Sequence, residues 1–153
     1  RANQKDNFYY TNSSPTYSYA NGVVTESITS TAKSLDDVNQ VDEDGNAILD
    51  PDGNQMVALG LKSILKARVK TTAASLLQPT DWKVIRAAEG GTAVDSDTAT
   101  YRAAVRTKSN SMETAIDNAA NIDALIALSV DTENEDGTIT TGTLNDWPEE
   151  PEV

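Results

Sequence analysis

One apolar stripe limits the fold more than any other feature of the chain. Val57, Leu61, Ile64, Leu65, Val69, Ala73, Leu76 and Leu77 recur at spacings of mostly three and four, the period of an α-helix. The spacing predicts a helix over residues 55–78. Pro79 stops it, because proline has no N–H to donate and its ring clashes with the preceding turn. Lys62, Lys66 and Lys70 form a second line, four apart, on another face. Such a line is either a solvated face or a dock for an acidic segment such as the C-terminal tail.

Three further helices follow from the same reasoning. Thr80 is expected to cap a short helix that runs to Gly90-Gly91, with Asp81 in its first turn and the glycines as its stop. Ser96 or Asp97 starts a third helix, to about residue 119, with Tyr101, Val105, Met112 and Ile116 as its stripe. Asn121 caps a final short helix over residues 122–128, which is apolar almost all round and so should be buried.

The rest of the chain has a different character. Asn21-Gly22 lies between two alternating segments, Thr16–Tyr19 and Val23–Ile28. Both residues tolerate positive φ, so the pair predicts a tight hairpin with polar, partly disordered flanks. Residues 42–57 hold an eight-residue repeat, Asp-x-Asp-Gly-Asn followed by a short apolar stretch. Each copy reads as a tight turn. It also resembles part of a calcium loop, but the twelfth position, which should be a bidentate Glu, is Gly53 counted from Asp42 and Leu61 counted from Asp50. Residues 131–137 form an acidic loop, 137–144 a possible strand, and Trp147–Val153 an extended terminus fixed by proline. Trp147 there is either an anchor for a partner or a cap on the chain's own core.

The fold class expected is therefore mainly α with a small β portion (α+β). Residues 1–54 form a polar, hairpin- and turn-rich N-terminal arm. Residues 55–129 form the helical centre, and residues 130–153 the acidic loop and Trp-Pro tail. Apolar residues are only 38% of the chain and Phe8 is its single phenylalanine. A core this thin suits a chain that completes its burial against a partner, and a homo-oligomer is expected.

Charge narrows the function classes. The net charge of −12 argues against nucleic acid, whose binding needs Lys and Arg to displace counterions, and against anionic lipid. No apolar run approaches the roughly 20 residues that cross a bilayer, so membrane insertion is not expected. Residues 62–108 carry nine of the twelve Lys and Arg, and no positive residue follows Lys108. Charges divided in this way favour contact between ends, within one chain or head-to-tail between chains. The chain opens on Arg1 rather than Met, which fits a processed chain or one with residues upstream.

No enzyme is expected. Without His or Cys the common nucleophile–base pairs are absent. There is no phosphate-binding glycine loop. The abundant carboxylates sit in loops with no apolar surround to separate their pKa values. No cofactor is expected either.

The middle of the chain carries a resemblance. Leu77-Gln78-Pro79-Thr80-Asp81-Trp82-Lys83-Val84-Ile85-Arg86-Ala87-Ala88-Glu89-Gly90, then Tyr101-Arg102-Ala103-Ala104-Val105-Arg106, then Trp147-Pro148-Glu149-Glu150-Pro151, resemble in order the signature and tail of phage tail-fibre assembly proteins and related virion proteins. In that group the Trp-Pro tail usually follows soon after the second Arg motif, whereas here residues 107–146 intervene. The resemblance implies a structural, protein-binding part of a tailed-phage virion, in the tail or its fibres, put together in the host cytoplasm. Its partners would be other tail or fibre proteins. A transient fibre-assembly chaperone is the alternative within that family, and a calcium-dependent extracellular adhesion module is the alternative outside it.

Trp, Tyr and Arg are favoured interface anchors. The candidate docking residues are therefore Trp82, Arg86, Tyr101, Arg102 and Arg106, with Trp147 and Pro148. The competing account makes the same signature a structural helix pair. In that account Trp82 and Tyr101 pack between the helices, and Arg86, Glu89, Arg102 and Arg106 pair across them.

Overall fold

A computed structural model describes residues 3–151. Arg1, Ala2, Glu152 and Val153, the ends of the expected arm and tail, lie outside that range. The fold is α+β, and the chain divides into two compact units at Ser63/Ile64.

The first unit is built of paired strands. β2 (Thr16–Ala20) and β3 (Val23–Ser27) pair antiparallel around Asn21-Gly22, which take φ of 51° and 79°. Positive φ at both central residues is the turn that matches the twist of the flanking strands, so the expected hairpin forms. It is longer than expected. β1 (Tyr10–Asn12) pairs with β4 (Ser30–Ala32). Between the two ladders the Ser13 amide donates to the Thr29 carbonyl at 2.8 Å. The register shifts by one residue at Ser14-Pro15, where the extra residue makes a bulge. The flanks are thus held in one two-stranded ribbon.

The eight-residue repeat folds into a three-way junction. β5 (Val38–Asn39) and β6 (Val57–Ala58) form its stem. Its two arms close at Val41–Ala47 and Leu49–Gln55. At the centre Gln40 donates to Met56, Met56 to Ile48 and Ile48 to Gln40, at 2.9, 2.8 and 3.0 Å. These backbone bonds make a closed ring with the period of the repeat. Gln55 plugs it: its Nε2 lies 2.7 Å from the Gln40 carbonyl oxygen, 3.2 Å from that of Ile48 and 3.0 Å from that of Met56. Two amide hydrogens are shared among three converging acceptors.

α1 (Leu61–Leu77) begins just beyond this junction. The predicted helix is therefore shorter at its start, and Val57 belongs to β6 rather than to the helical stripe. The reason is local. Gly60 lies so close to Asp36 that a Cβ would meet its carbonyl carbon at 2.4 Å, and its amide donates to Asp37 Oδ1. The amides of Leu61 and Lys62 donate to Ser34 and Leu35, which pairs free N–H groups of the first turn.

The second unit is helical. After α1 a single 3-10 turn, Gln78–Thr80, leads directly into α2 (Asp81–Ala88). α3 (Ser96–Asn118) and α4 (Ile122–Ser129) follow. α1 and α3 run antiparallel: Lys66 pairs with Asp117 and Lys70 with Glu113, while Tyr101 reaches Leu76 near the other end. The core lies along this pair. Leu65, Val69 and Ala73 of α1, Tyr101, Val105, Met112 and Ile116 of α3, and Ile122 and Leu125 of α4 are buried. Asp95 caps α3 through the Thr98 amide, and Asn121 caps α4 through the Ala124 amide. β7 (Thr132–Glu133) pairs with β8 (Ile139–Thr140) around Asn134-Glu135-Asp136-Gly137. That turn repeats the two acidic arms: Gly137, like Gly45 and Gly53, takes φ of 80–85° and donates back to the residue three before it.

Candidate functional site

The signature residues gather at the corner where α1 passes through the 3-10 turn into α2 and meets the start of α3. Thr80 does not cap α2 with its side chain. The helical turn leaves no break at which a cap is needed. The buried Thr80 hydroxyl instead donates to the Leu77 carbonyl at 2.9 Å and accepts from Arg102 at 2.6 Å. The same Arg102 guanidinium also donates to the Leu77 carbonyl and to Asp81 Oδ1, both at 2.8 Å. Its side chain is only 11% exposed. Tyr101 is buried beside Ala73 and Val105, and its hydroxyl donates to the Leu76 carbonyl. Burial first, then the nearby Glu150 charge, pushes its phenol pKa up.

Lys83 locks the other side of the corner. It donates to Asp95 Oδ2 at 2.9 Å and to Thr98 Oγ1 at 2.8 Å. The Thr98 amide and then Lys83 hold the Asp95 carboxyl far below its ordinary value.

Trp82 and Arg86 are placed differently. No residue of α2 is buried. Trp82 and Ile85 are 54% and 57% exposed, Val84 is exposed beside them, and the Arg86 guanidinium stacks over the Trp82 ring at 4.7 Å. Arg86 and Trp82 thus stand on an open helix face, without the expected Trp82–Tyr101 packing between helices. Arg106 is exposed on α3.

The tail lies along α3. Trp147 packs against the Ala73–Tyr101–Val105 cluster, and Lys108 pairs with Asp146 just before it. Trp147 therefore caps the chain's own core. Pro148 is half-buried, and with Trp147 it borders a shallow groove of about 510 Å³ over Thr100, Ala103, Thr107 and Ser111 of α3. Lys66 and Lys70 pair with α3 acids and Lys62 with Asp36, which leaves this line neither a bare solvated face nor a dock for the tail.

The corner therefore brings together Arg102, Tyr101 and the residues flanking Trp82, and it uses Arg102 and Tyr101 internally. Sequence reasoning overlooked Asp95, Lys83 and Gln55. An Asp three residues before Thr98 is a readable capping signal, whereas the role of Gln55 exists only once three carbonyls converge. In the two acidic turns the leading carboxylate is used by the turn itself. Asp42 Oδ1 accepts from the amides of Asp44 and Asn46, and Asp50 Oδ1 from those of Asp52 and Asn54. These bonds, chiefly from Asn46 and Asn54, lower both carboxyl pKa values. Among the described residues no three acids converge as a metal site, and no helix is long and apolar enough to cross a membrane. No family model, curated protein or solved structure matches the chain.

Proposed function

We propose that the chain is a structural, non-enzymatic, protein-binding component of a tailed-phage virion, attached to the tail or its fibres through subunit contacts. One observation carries the protein-binding part. Among the described residues of the first unit only two apolar side chains, Tyr9 and Leu61, count as buried, while ten large ones are exposed. The helical unit has the reverse balance. Single exposed apolar residues are ordinary, but a unit that keeps more of them outside than inside is built to be covered. The open α2 face, with Trp82, Ile85 and the stacked Arg86, offers a second anchor of the residue types that interfaces favour. The virion part of the reading draws on the signature at residues 77–106 and the tail at 147–151.

The test is the composition of purified particles. A fixed number of copies per particle supports the reading. Presence only during assembly makes the chain a transient chaperone, and absence from both particles and assembly intermediates overturns the phage assignment.

A further inference from the structure

The β2–β3 hairpin has two unlike faces. Cross-strand partners share a face, so Tyr17, Glu26, Tyr19 and Val24 lie on one, and Thr16, Ser27, Ser18, Thr25, Ala20 and Val23 on the other. The first face is aromatic and aliphatic with a single acid, and Tyr17, Tyr19 and Val24 are 67%, 74% and 65% exposed. Among the described residues neither strand has a second neighbour in a sheet. Two-stranded hairpins are marginal alone and gain stability when an apolar face is covered.

Charge indicates what covers it. Residues 7–32 carry one charge, Glu26, in a chain whose net charge is −12. A basic partner would be drawn to the acidic surfaces elsewhere, not to this neutral one. At a net charge of −12 two copies of the chain repel each other on the whole, and this ribbon is where they can meet at little electrostatic cost. Neither β2 nor β3 contains the Lys or Pro that natural proteins use to discourage such contact.

We infer that the Tyr17–Tyr19–Val24 face packs against the same face of a second copy, in a twofold, self-complementary contact. This inference rests on the subunit-contact reading above and names one of those contacts. Four residues a side are far fewer than the roughly 20–30 of a stable interface, so the dimer depends on concentration. Where copies are already held side by side, effective concentrations reach the millimolar range and suffice.

Sedimentation equilibrium of the full chain, up to about 1 mM, tests it. The expected result is a mass rising from 16.3 kDa toward twice that value. Y17S/Y19S should stay monomeric with its helical circular dichroism intact, and Val23→Thr, on the other face, should associate like the wild type. A wild type that is monomeric throughout, or a double variant that associates equally well, overturns the inference. Should the double variant lose the hairpin, single thiols in this cysteine-free chain decide. Tyr19→Cys should be shielded from maleimide at high concentration and Ser18→Cys should not; equal labelling overturns the proposal. A monomeric chain that is nevertheless found in particles removes this dimer and leaves the virion reading intact, and a dimer absent from particles does the opposite.

Discussion

The guanidinium of Arg102 serves the Leu77 carbonyl, the Thr80 hydroxyl and the Asp81 carboxylate at once. Arg102→Ala leaves the first two without that donor in a half-buried corner, and denaturant titration should register a loss of about 2–3 kcal/mol. Arg102→Lys should recover only part of it, because an ammonium does not reproduce the planar fork. Asp95 gives a pH signature. Its folded pKa is depressed below the ordinary 3.8, so its contribution to stability is present above that value and is lost as pH falls through the folded pKa. The gap in melting temperature between wild type and Asp95→Asn should be widest near neutrality and close in strong acid. The Tyr-Arg pair was legible in the sequence as important, but its purpose was not. Interface anchors and buried staples use the same residue types, and only the acceptors at Leu76 and Leu77 separate them.

Helices were the most legible elements, since their stripes depend on period alone. Leu65, Val69, Ala73, Tyr101, Val105, Met112 and Ile116 are buried as that period requires. Short strands were less legible. β1 and β4 are polar, and their pairing follows from the hairpin register beyond the bulge, which no local pattern announces. The acidic turn at residues 134–137 is less legible as a third copy because Asn134 stands where the others have Asp. α2 makes a clear prediction at this scale. With no buried residue to lose, Trp82→Ala should change stability by less than about 1 kcal/mol. If α2 docks a tail or fibre protein, the same change should weaken capture of that protein at least about tenfold, as hot-spot truncations do. In the junction, Gln55→Leu withdraws the donor from three carbonyls, and thermal melting should show the first unit destabilised by about 1–3 kcal/mol.

The two units differ in how firmly each is held, because one hides its apolar side chains and the other displays them. Hydrogen exchange on the isolated chain should separate them. Amides of Val105 to Ile116 should exchange about a hundredfold more slowly, or slower still, than those of Val23 to Ser27. The acid–base–acid layout of the sequence is resolved locally within the helical unit, where Lys66, Lys70, Lys83, Arg102 and Lys108 each meet an acid. What the sequence could not reveal is where burial would be incomplete, since composition reports how much apolar surface exists and not which part of the fold leaves it outside.

The three-way junction has a mechanical consequence. Val38 and Ala58 are partners in its stem, so the chain enters and leaves the ring side by side. Tension applied along the polypeptide loads first the bonds from Lys62, Leu61 and Gly60 to Leu35, Ser34 and Asp37 and then the two stem pairs, one after the other as in a zipper. Once they part, the ring bonds of Gln40, Ile48 and Met56 and the Gln55 plug are next in line, and when these give, residues 38–58 pay out about 70 Å of slack. Force spectroscopy on the chain should show a low-force extension of about that length, ahead of rupture of the helical unit. A subunit joined to a tail or fibre would then carry its own shock absorber.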